Sequence, residues 1–362
     1  MTTIARKDAA DQSEVTAGVD THQDTHTAAV IDTAGRLLGH RQFPADGAGY
    51  RALLRWLRSF GTLVVVGIEG TGAYGAGLAR HLQAQGVAML EIDRPDRKTR
   101  RSAGKSEPID AEAAARAALA RVRTGVPKKR DGQVEALRNL RVARRSAVDQ
   151  RADCMRRIKT LIVTAPESLR VRLRGLTKQA LLDSCAGLRP YTTRVGEPEQ
   201  AAKVALRSLA RRYAALVEEI TELDRLIEPL VTAINPGLLE LNGVGADVAG
   251  QLLVTAGENT ERLRSEAAFA MLCGTAPIPA SSGKTHRHRL NRGGDRQANA
   301  AIYRIVLCRL RWDPRTQAYA NRRTAEGLSK DIIRCLKRVI AREIYYVLTA
   351  DQLKHAELAT AA

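Results

Sequence analysis

Three strand-like runs lie close together near the start of the chain, joined by connections too short for any crossover. They are Thr16–Asp20, His26–Asp32 and Arg36–Phe43, with a polar turn after the first and Asp32-Thr33-Ala34-Gly35 after the second. Parallel neighbours need a long crossover, so these three must be antiparallel. The next segment, Asp46–Phe60, sets Tyr50, Leu53, Leu54 and Leu57 on one helical face. A fully apolar strand, Leu63–Ile68, ends at Glu69, and a Gly-rich turn opens a helix through Leu78 and Leu82. A fifth strand, Val87–Ile92, a basic loop over 94–106 and an alanine-rich helix from Pro108 to Arg123 complete the region.

Three antiparallel strands, then helix, strand, helix, strand, loop and helix, is the element order of an RNase H-like domain, a mixed sheet flanked by helices. Four acids stand where such a sheet could gather them. Asp20 and Glu69 end strands expected to be neighbours; Glu107 and Asp110, three apart at a helix start, share one face. Phosphoryl transfer with two divalent ions needs carboxylates converging on ions roughly 3.5–4 Å apart. Hard oxygen ligands suit Mg²⁺ or Mn²⁺. Each acid also has an innocent role: Glu107 as an N-cap before Pro108, Asp110 in the first turn, Asp20 and Glu69 as strand ends. Asp24, Asp32 and Asp93 are rival positions.

Downstream the chain turns helical. Gln133–Thr164 reads as one long helix with a heptad-like stripe of Leu137, Leu140, Val148, Met155, Ile158 and Leu161. A second long helix, 197–234, carries Val204, Leu216, Ile220, Leu223 and Ile227 on its apolar side and is expected to pack antiparallel to the first. Arg138, Arg141, Arg144, Arg145, Arg151, Arg156 and Arg157 crowd the first, as a solvated face or an RNA-binding strut. After Asn235-Pro236-Gly237, the string Leu241–Ala249 resembles a helix-hairpin-helix turn, with Gly243 and Gly245 offering a helix N-terminus to a nucleic-acid phosphate. The loop 274–294 holds Ser281 and Ser282 beside Lys284, His286, Arg287, His288, Arg289 and Arg292. Such a loop is either a solvated basic segment or a cradle that offsets phosphate charge during attack.

Charge bears on the partner. The chain carries 58 Lys and Arg against 39 Asp and Glu, a formal charge of +19 spread along its length. Neutralised phosphates release counterions on binding, so a polyanionic partner is expected. No apolar stretch approaches the roughly 18–20 residues of a spanning helix, and Asp8, Asp11 and Glu14 interrupt any leader, so neither membrane insertion nor secretion is expected. Five scattered cysteines without a CxxC pair argue against a zinc ribbon or a disulfide framework.

Taken in order, Gly18-Val19-Asp20, Gly67–Tyr74, Lys105–Ala111, Gly243-Val244-Gly245 and Ser281–Lys284 through Arg292–Asp295 resemble the DEDD-type transposases of the IS110 group of insertion sequences, relatives of the Piv pilin-gene invertase. Residues 1–14 are polar and read as a disordered N-terminus, and 351–362 as a tail; the resemblance implies a RuvC-like metal-binding domain over 15–126, a helical coiled-coil connector over 131–234 and a C-terminal transposase domain over 235–350. It implies metal-binding acids at Asp20, Glu69, Glu107 and Asp110 and a serine nucleophile at Ser282, with Ser281 as the alternative. Gly243, Gly245, Lys284, Arg287, Arg289 and Arg292 are the expected nucleic-acid contacts. The implied partners are donor and target DNA, a guide RNA encoded by the element, and further copies of the chain in a dimer or tetramer whose site is drawn from both domains of different protomers. A cytoplasmic, nucleoid-associated protein is expected. The family pattern has aspartate where this chain has Glu107, which keeps the charge and reaches one methylene further. A RuvC-like nuclease, needing the acids and not Ser282, and a non-enzymatic nucleic-acid-binding protein are the rival readings.

Overall fold

The computed structural model describes residues 13–92, 106–122, 124–284, 287–328 and 331–350. Expectations for residues 1–12, Asp93, most of the basic loop over 94–106, His286, Lys330 and the tail over 351–362 lie outside the described residues. The chain divides into two compact units, 1–132 with 256–268 and 351–362, and 133–255 with 269–350.

The first unit is built on a sheet of six strands: β1 (Glu14–Thr21), β2 (Thr25–Asp32), β3 (Leu37–Pro44), β4 (Thr62–Glu69), β5 (Met89–Ile92) and β6 (Thr124–Gly125). Its order is β3-β2-β1-β4-β5-β6. β1 pairs antiparallel with β2 and parallel with β4, and β4 pairs parallel with β5. The mixed sheet fits an RNase H-like domain. Strand β6, only two residues long and antiparallel to β5, is one element the sequence pattern did not reveal; so short a run carries no period.

Period-two alternation decides what each face meets. Val15, Ala17 and Val19 of β1 and Val66 and Ile68 of β4 pack with Leu53, Leu54 and Leu57 of α1 (Gly47–Arg58) and Leu78 and Leu82 of α2 (Ala76–Ala84). Each fully buried Leu or Ile in this core contributes about 1.5–3 kcal/mol. The other face presents Gly18 and Gly67 to α3 (Glu107–Ala120), whose Ala111, Ala114, Ala115 and Ala118 are buried. A Cβ on Gly18 would lie 2.1 Å from the Ala115 nitrogen and 2.2 Å from the Ala111 oxygen; one on Gly67 would lie 2.7 Å from the Ala114 oxygen. Small residues on both surfaces therefore set the helix unusually close to the strands.

The second unit is mostly helical. α4 (Gln133–Thr164) and α7 (Pro198–Ile234) share a core that includes Cys154, Ile158, Ile162, Leu206, Tyr213 and Leu216. Arg144 bonds Asp224, whereas Gln150, further along α4, bonds Arg212, earlier on α7; the pair is antiparallel. The buried seam of α4 runs through Leu137, Ala147, Cys154, Ile158 and Ile162, while Leu140, Val148, Met155 and Leu161 of the sequence stripe are only half-buried. Two short helices, α5 (Glu167–Leu173) and α6 (Lys178–Ala186), occupy the linking segment and were not legible as apolar periods. The chain continues through α8 (Gly237–Glu240), α9 (Ala246–Ala256), α10 (Glu266–Leu272), the strand pair β7 (Ile278–Pro279) and β8 (His288–Arg289), α11 (Arg296–Trp312), α12 (Pro314–Ala325) and α13 (Ile332–Leu348). No described helix is long and apolar enough to cross a membrane.

The close approach of α3 generates a specific expectation. Gly18→Ala forces a methyl group into helix backbone, which cannot yield as a side chain would. It is expected to destabilise the first unit by about 3 kcal/mol, the upper part of the usual overpacking range. Urea unfolding of the variant beside Gly86→Ala, where a Cβ meets no neighbour but φ is +67°, separates the steric effect from backbone strain; a smaller loss at Gly18 than at Gly86 would contradict it.

Candidate functional site

The acids of the first unit are organised by strand register. β1 and β2 pair Asp20 with Thr27, and β2 and β3 pair Thr27 with Gln42, so the three form one row across the sheet. Asp20 shares its face with Gly18 and therefore faces α3. The parallel register that pairs Val19 with Ile68 sets Glu69 one step along β4, beside Asp20 and on the face of Gly67. Thr21 Oγ1 donates to the Glu69 carbonyl at 2.8 Å and ties the two strand ends together.

Helix α3 supplies the other two acids. Ser106, not Glu107, occupies the N-cap position; Pro108 sits in the first turn, and Asp110 N–H donates to the Ser106 carbonyl. Glu107 is thereby free to reach the sheet, where its carboxylate accepts from Thr27 Oγ1 at 2.8 Å and Gln42 Nε2 at 2.9 Å. Asp110 is buried, at 5% exposure. Burial first, and then the neighbouring charges of Asp110 and Glu107, push the Asp20 carboxyl above its usual range, opposed by His22. His22 Nε2 stands 3.2 Å from Asp20 Oδ2 and 3.8 Å from Glu107 Oε1. Sequence reasoning missed His22, Thr27 and Gln42. Thr27 and Gln42 could have been found by carrying the alternation of Asp20 across the two antiparallel pairings.

The rivals Asp24 and Asp32 stand apart from this row. Asp24 is exposed in the β1–β2 turn. Asp32 closes its own turn, accepting from Ala34 N–H, Arg36 N–H and the Arg36 guanidinium. The donor chemistry of the row suits a divalent ion, because hard carboxylate oxygens crowd one another and a cation would relieve their repulsion. Among the described residues, no three acid, imidazole or thiol side chains already close on a common point.

In the second unit Ser281 and Ser282 are exposed at the tip of the β7–β8 hairpin. Ile278 pairs with Arg289 and Pro279 with His288, and Ala280 N–H donates to the Arg287 carbonyl at 2.9 Å. Gly283 follows at φ +54°. Lys284, Arg287, Arg289 and Arg292 belong to the same hairpin and its exit, and all four are exposed.

The turn before α9 holds Gly243 at φ +79°, a conformation that favours glycine, and a Cβ on Gly245 would meet open space. Asp247, in the first turn of α9, gathers three guanidinium groups, from Arg141 at 2.9 Å, Arg144 at 3.1 Å and Arg304 at 2.7 Å. Arg141 and Arg144 are thus turned inward and are withdrawn from the exposed basic face read along this helix. Arg145, Arg156 and Arg157 remain exposed.

Burial alone would raise the Asp247 pKa, but Arg141, Arg304 and Arg144 together hold it below the usual 3.8. A carboxylate whose pKa is depressed by folding stabilises the protein above the unfolded value, and that contribution is lost as pH falls through the folded value. Asp247→Asn leaves the buried Arg141 guanidinium without its counter-charge and is expected to cost about 3 kcal/mol at about pH 7. The cost should shrink as pH falls from 3.8 through the depressed folded value, where the native carboxylate itself takes up a proton. Urea midpoints at about pH 7 and about pH 2 measure it; an equal loss at both would sink the assignment.

Comparison with known proteins adds the family context. Residues 17–165 match a family model described as a transposase, of the DEDD-type IS110 class. Residues 236–321 match a model described as transposase IS116/IS110/IS902 family. The chain is 33% identical over 127 residues to an insertion element IS110 uncharacterized 43.6 kDa protein of Streptomyces coelicolor, covering 34% of this chain and 31% of that one. It is 28% identical over 132 residues to an insertion element IS900 uncharacterized 42 kDa protein of Mycobacterium paratuberculosis, covering 36% and 33% respectively. The matched stretches thus span about a third of the length of these curated relatives.

Proposed function

Because the chain belongs to the IS110 family of insertion-element transposases, we propose that it is the DNA recombinase of an insertion sequence, using carboxylate-bound divalent metal and a serine nucleophile. The single observation that carries this reading is the gathering of Asp20, Asp110 and Glu107 over one row of the sheet, with Glu69 alongside by register. Like charges brought together, with burial and repulsion disturbing one of them, are characteristic of functional sites.

Asp20, Glu69, Glu107 and Asp110 would hold the ion, Mg²⁺ or Mn²⁺. A bound divalent ion supplies Lewis-acid polarisation of a phosphoryl oxygen and offsets developing charge. Thr27 and Gln42 orient the Glu107 carboxylate by hydrogen bonds, and His22 holds the Asp20 carboxylate toward it. This support matters because Glu107 is longer by one methylene than the aspartate of the family pattern; two fixed donors compensate for its freedom.

Ser282 is the proposed nucleophile, with Ser281 as the alternative. Its Oγ forms a bond to phosphorus as the bond from phosphorus to a deoxyribose oxygen breaks. The Oγ proton goes to a base, and the leaving oxygen takes up a proton. Rejoining reverses the sequence with a new strand end and frees the serine. No carboxylate occurs between Ile278 and Arg292, so the base is proposed to come from outside the hairpin. Lys284, Arg287, Arg289 and Arg292 offset phosphorane charge. A covalent intermediate conserves the phosphodiester bond for rejoining, which hydrolysis would lose. Gly243 and Gly245 are read as backbone contacts to DNA. The exposed arginines of α4 are read as contacts to an element-encoded guide RNA, within an oligomer of the chain.

Two measurements test the reading. Mn²⁺ in large excess is expected to raise the thermal midpoint of the protein, by about 2.7 kcal/mol of added stability at a hundredfold excess over Kd, and to leave Asp20→Ala unmoved. An equal rise in both would remove the acids as ligands. A suicide DNA substrate should trap a protein–DNA adduct that maps to Ser282 and is lost in Ser282→Ala with folding intact. An adduct on a tyrosine, or metal-dependent cutting that persists undiminished in Ser282→Ala, would exclude the serine and favour a metal-dependent nuclease.

A further inference from the structure

Beside the serine hairpin, the second unit contains a cleft of ≈ 700 Å³. One wall is the hairpin itself, with Arg287 and Arg289. The other is α13, with Arg334, Lys337 and Arg338, and Arg323 of α12 joins them. A second cavity of ≈ 660 Å³ shares His288, Arg289 and Arg334 with the first and extends to Arg292. The two make one cationic groove along β8. Asp331 is the only carboxylate on either lining among the described residues.

The cations of this groove are weakly compensated. Arg334 reaches Asp331 at 3.3 Å, with both side chains about half exposed. Arg323 uses one nitrogen on Glu326, but its Nε is buried with no acceptor among the described residues. Lys337 has no carboxylate partner among them: its ammonium donates to Asn299 Oδ1 and lies 5.9 Å from the centre of the Tyr303 ring. Burial without a counter-charge lowers the pKa of that ammonium. Cations held together with so few acids repel one another, and an anion entering the groove reverses that cost. The contrast with Asp247, where three arginines surround a carboxylate of the chain itself, is direct.

We infer that this groove binds the phosphodiester backbone of a DNA strand, with Lys337 and Arg334 as its central contacts. A single small anion would fill only one end of two joined cavities, whereas a strand presents phosphates at repeated spacing along both. The groove shares the hairpin of Ser282, so the bound strand would pass the tip that carries the serine. The inference rests on the DNA-recombinase reading for the identity of its ligand, and on the groove itself for its location.

The test uses the full chain and a fluorescently labelled single-stranded DNA, read by anisotropy across a chloride series. Lys337→Gln and Arg334→Gln are each expected to weaken binding about tenfold, the ordinary effect of one lost charge-assisted contact. Each should also reduce the slope of log affinity against log salt by about 0.7. Arg211→Gln, on the exposed side of α7, is expected to leave both unchanged, and Lys337→Arg to recover most of the loss. Thermal melts establish that each variant is folded. Unchanged affinity and slope in both glutamine variants would overturn the inference. So would a loss of inorganic phosphate binding in Lys337→Gln, measured by calorimetry, with DNA affinity intact, because the groove would then serve a free anion. The adduct assay keeps the two readings apart. An absent serine adduct with weakened DNA binding in Lys337→Gln defeats the nucleophile and leaves the groove. A normal Ser282 adduct with unaltered binding does the reverse.

Discussion

The arrangement of the acidic site depends on how closely α3 lies against the sheet. Gly18 of β1 and Gly67 of β4 leave no side chain between the strands and the alanines of the helix. That contact lowers the first turn of α3 onto the row of Asp20, Thr27 and Gln42. Glu107 can then bond two of those residues, and Asp110 becomes buried beside the third. A larger residue at either glycine would lift the helix and separate the acids. The free N–H groups at the start of α3 also favour negative charge, which tempers the repulsion the site accumulates.

The positive surplus is divided between two uses. Arg141, Arg144 and Arg304 are spent internally around Asp247, joining the start of α9 to α4 and α11. These pairs fix geometry and offer little to a partner. Around the serine hairpin and α13 the balance differs: cations line open space, and acids are scarce. Net charge alone cannot distinguish the two, since a cation of either set counts alike toward +19. Burial and pairing do, because a guanidinium already neutralised by a carboxylate has no counterion to release to a phosphate.

The hairpin adds a division of labour. Its two short strands are held by few hydrogen bonds, and its tip is exposed, so Ser282 owes its environment to the cations flanking it more than to a buried pocket. Glycine at φ +54° in position 283 permits the turn directly after it. The acid cluster, by contrast, lies between a regular sheet and the start of α3, where Thr27 and Gln42 hold Glu107. The two parts carry complementary chemistry, negative charge held on a rigid frame and positive charge on an open edge.

The sequence by itself determined five of the six strands of the sheet and the acids to look for at its edge. Strand runs with connections too short to cross over must pair antiparallel, and the RNase H-like element order sets the fourth strand beside the first; Asp20 and Glu69 could thus be expected side by side before any coordinates. It also singled out Glu107 and Asp110, since three-residue spacing on a helix is a local property. It did not reveal His22, Thr27 and Gln42 as their neighbours, the inward turn of Arg141 and Arg144, the two-residue strand β6, or the groove beside the hairpin. Those depend on contacts between residues far apart in the chain, and on burial, which decides whether an arginine meets a carboxylate or open solvent. Tertiary structure alone settles that, because the same guanidinium in the same helix reads identically in sequence whichever way it points.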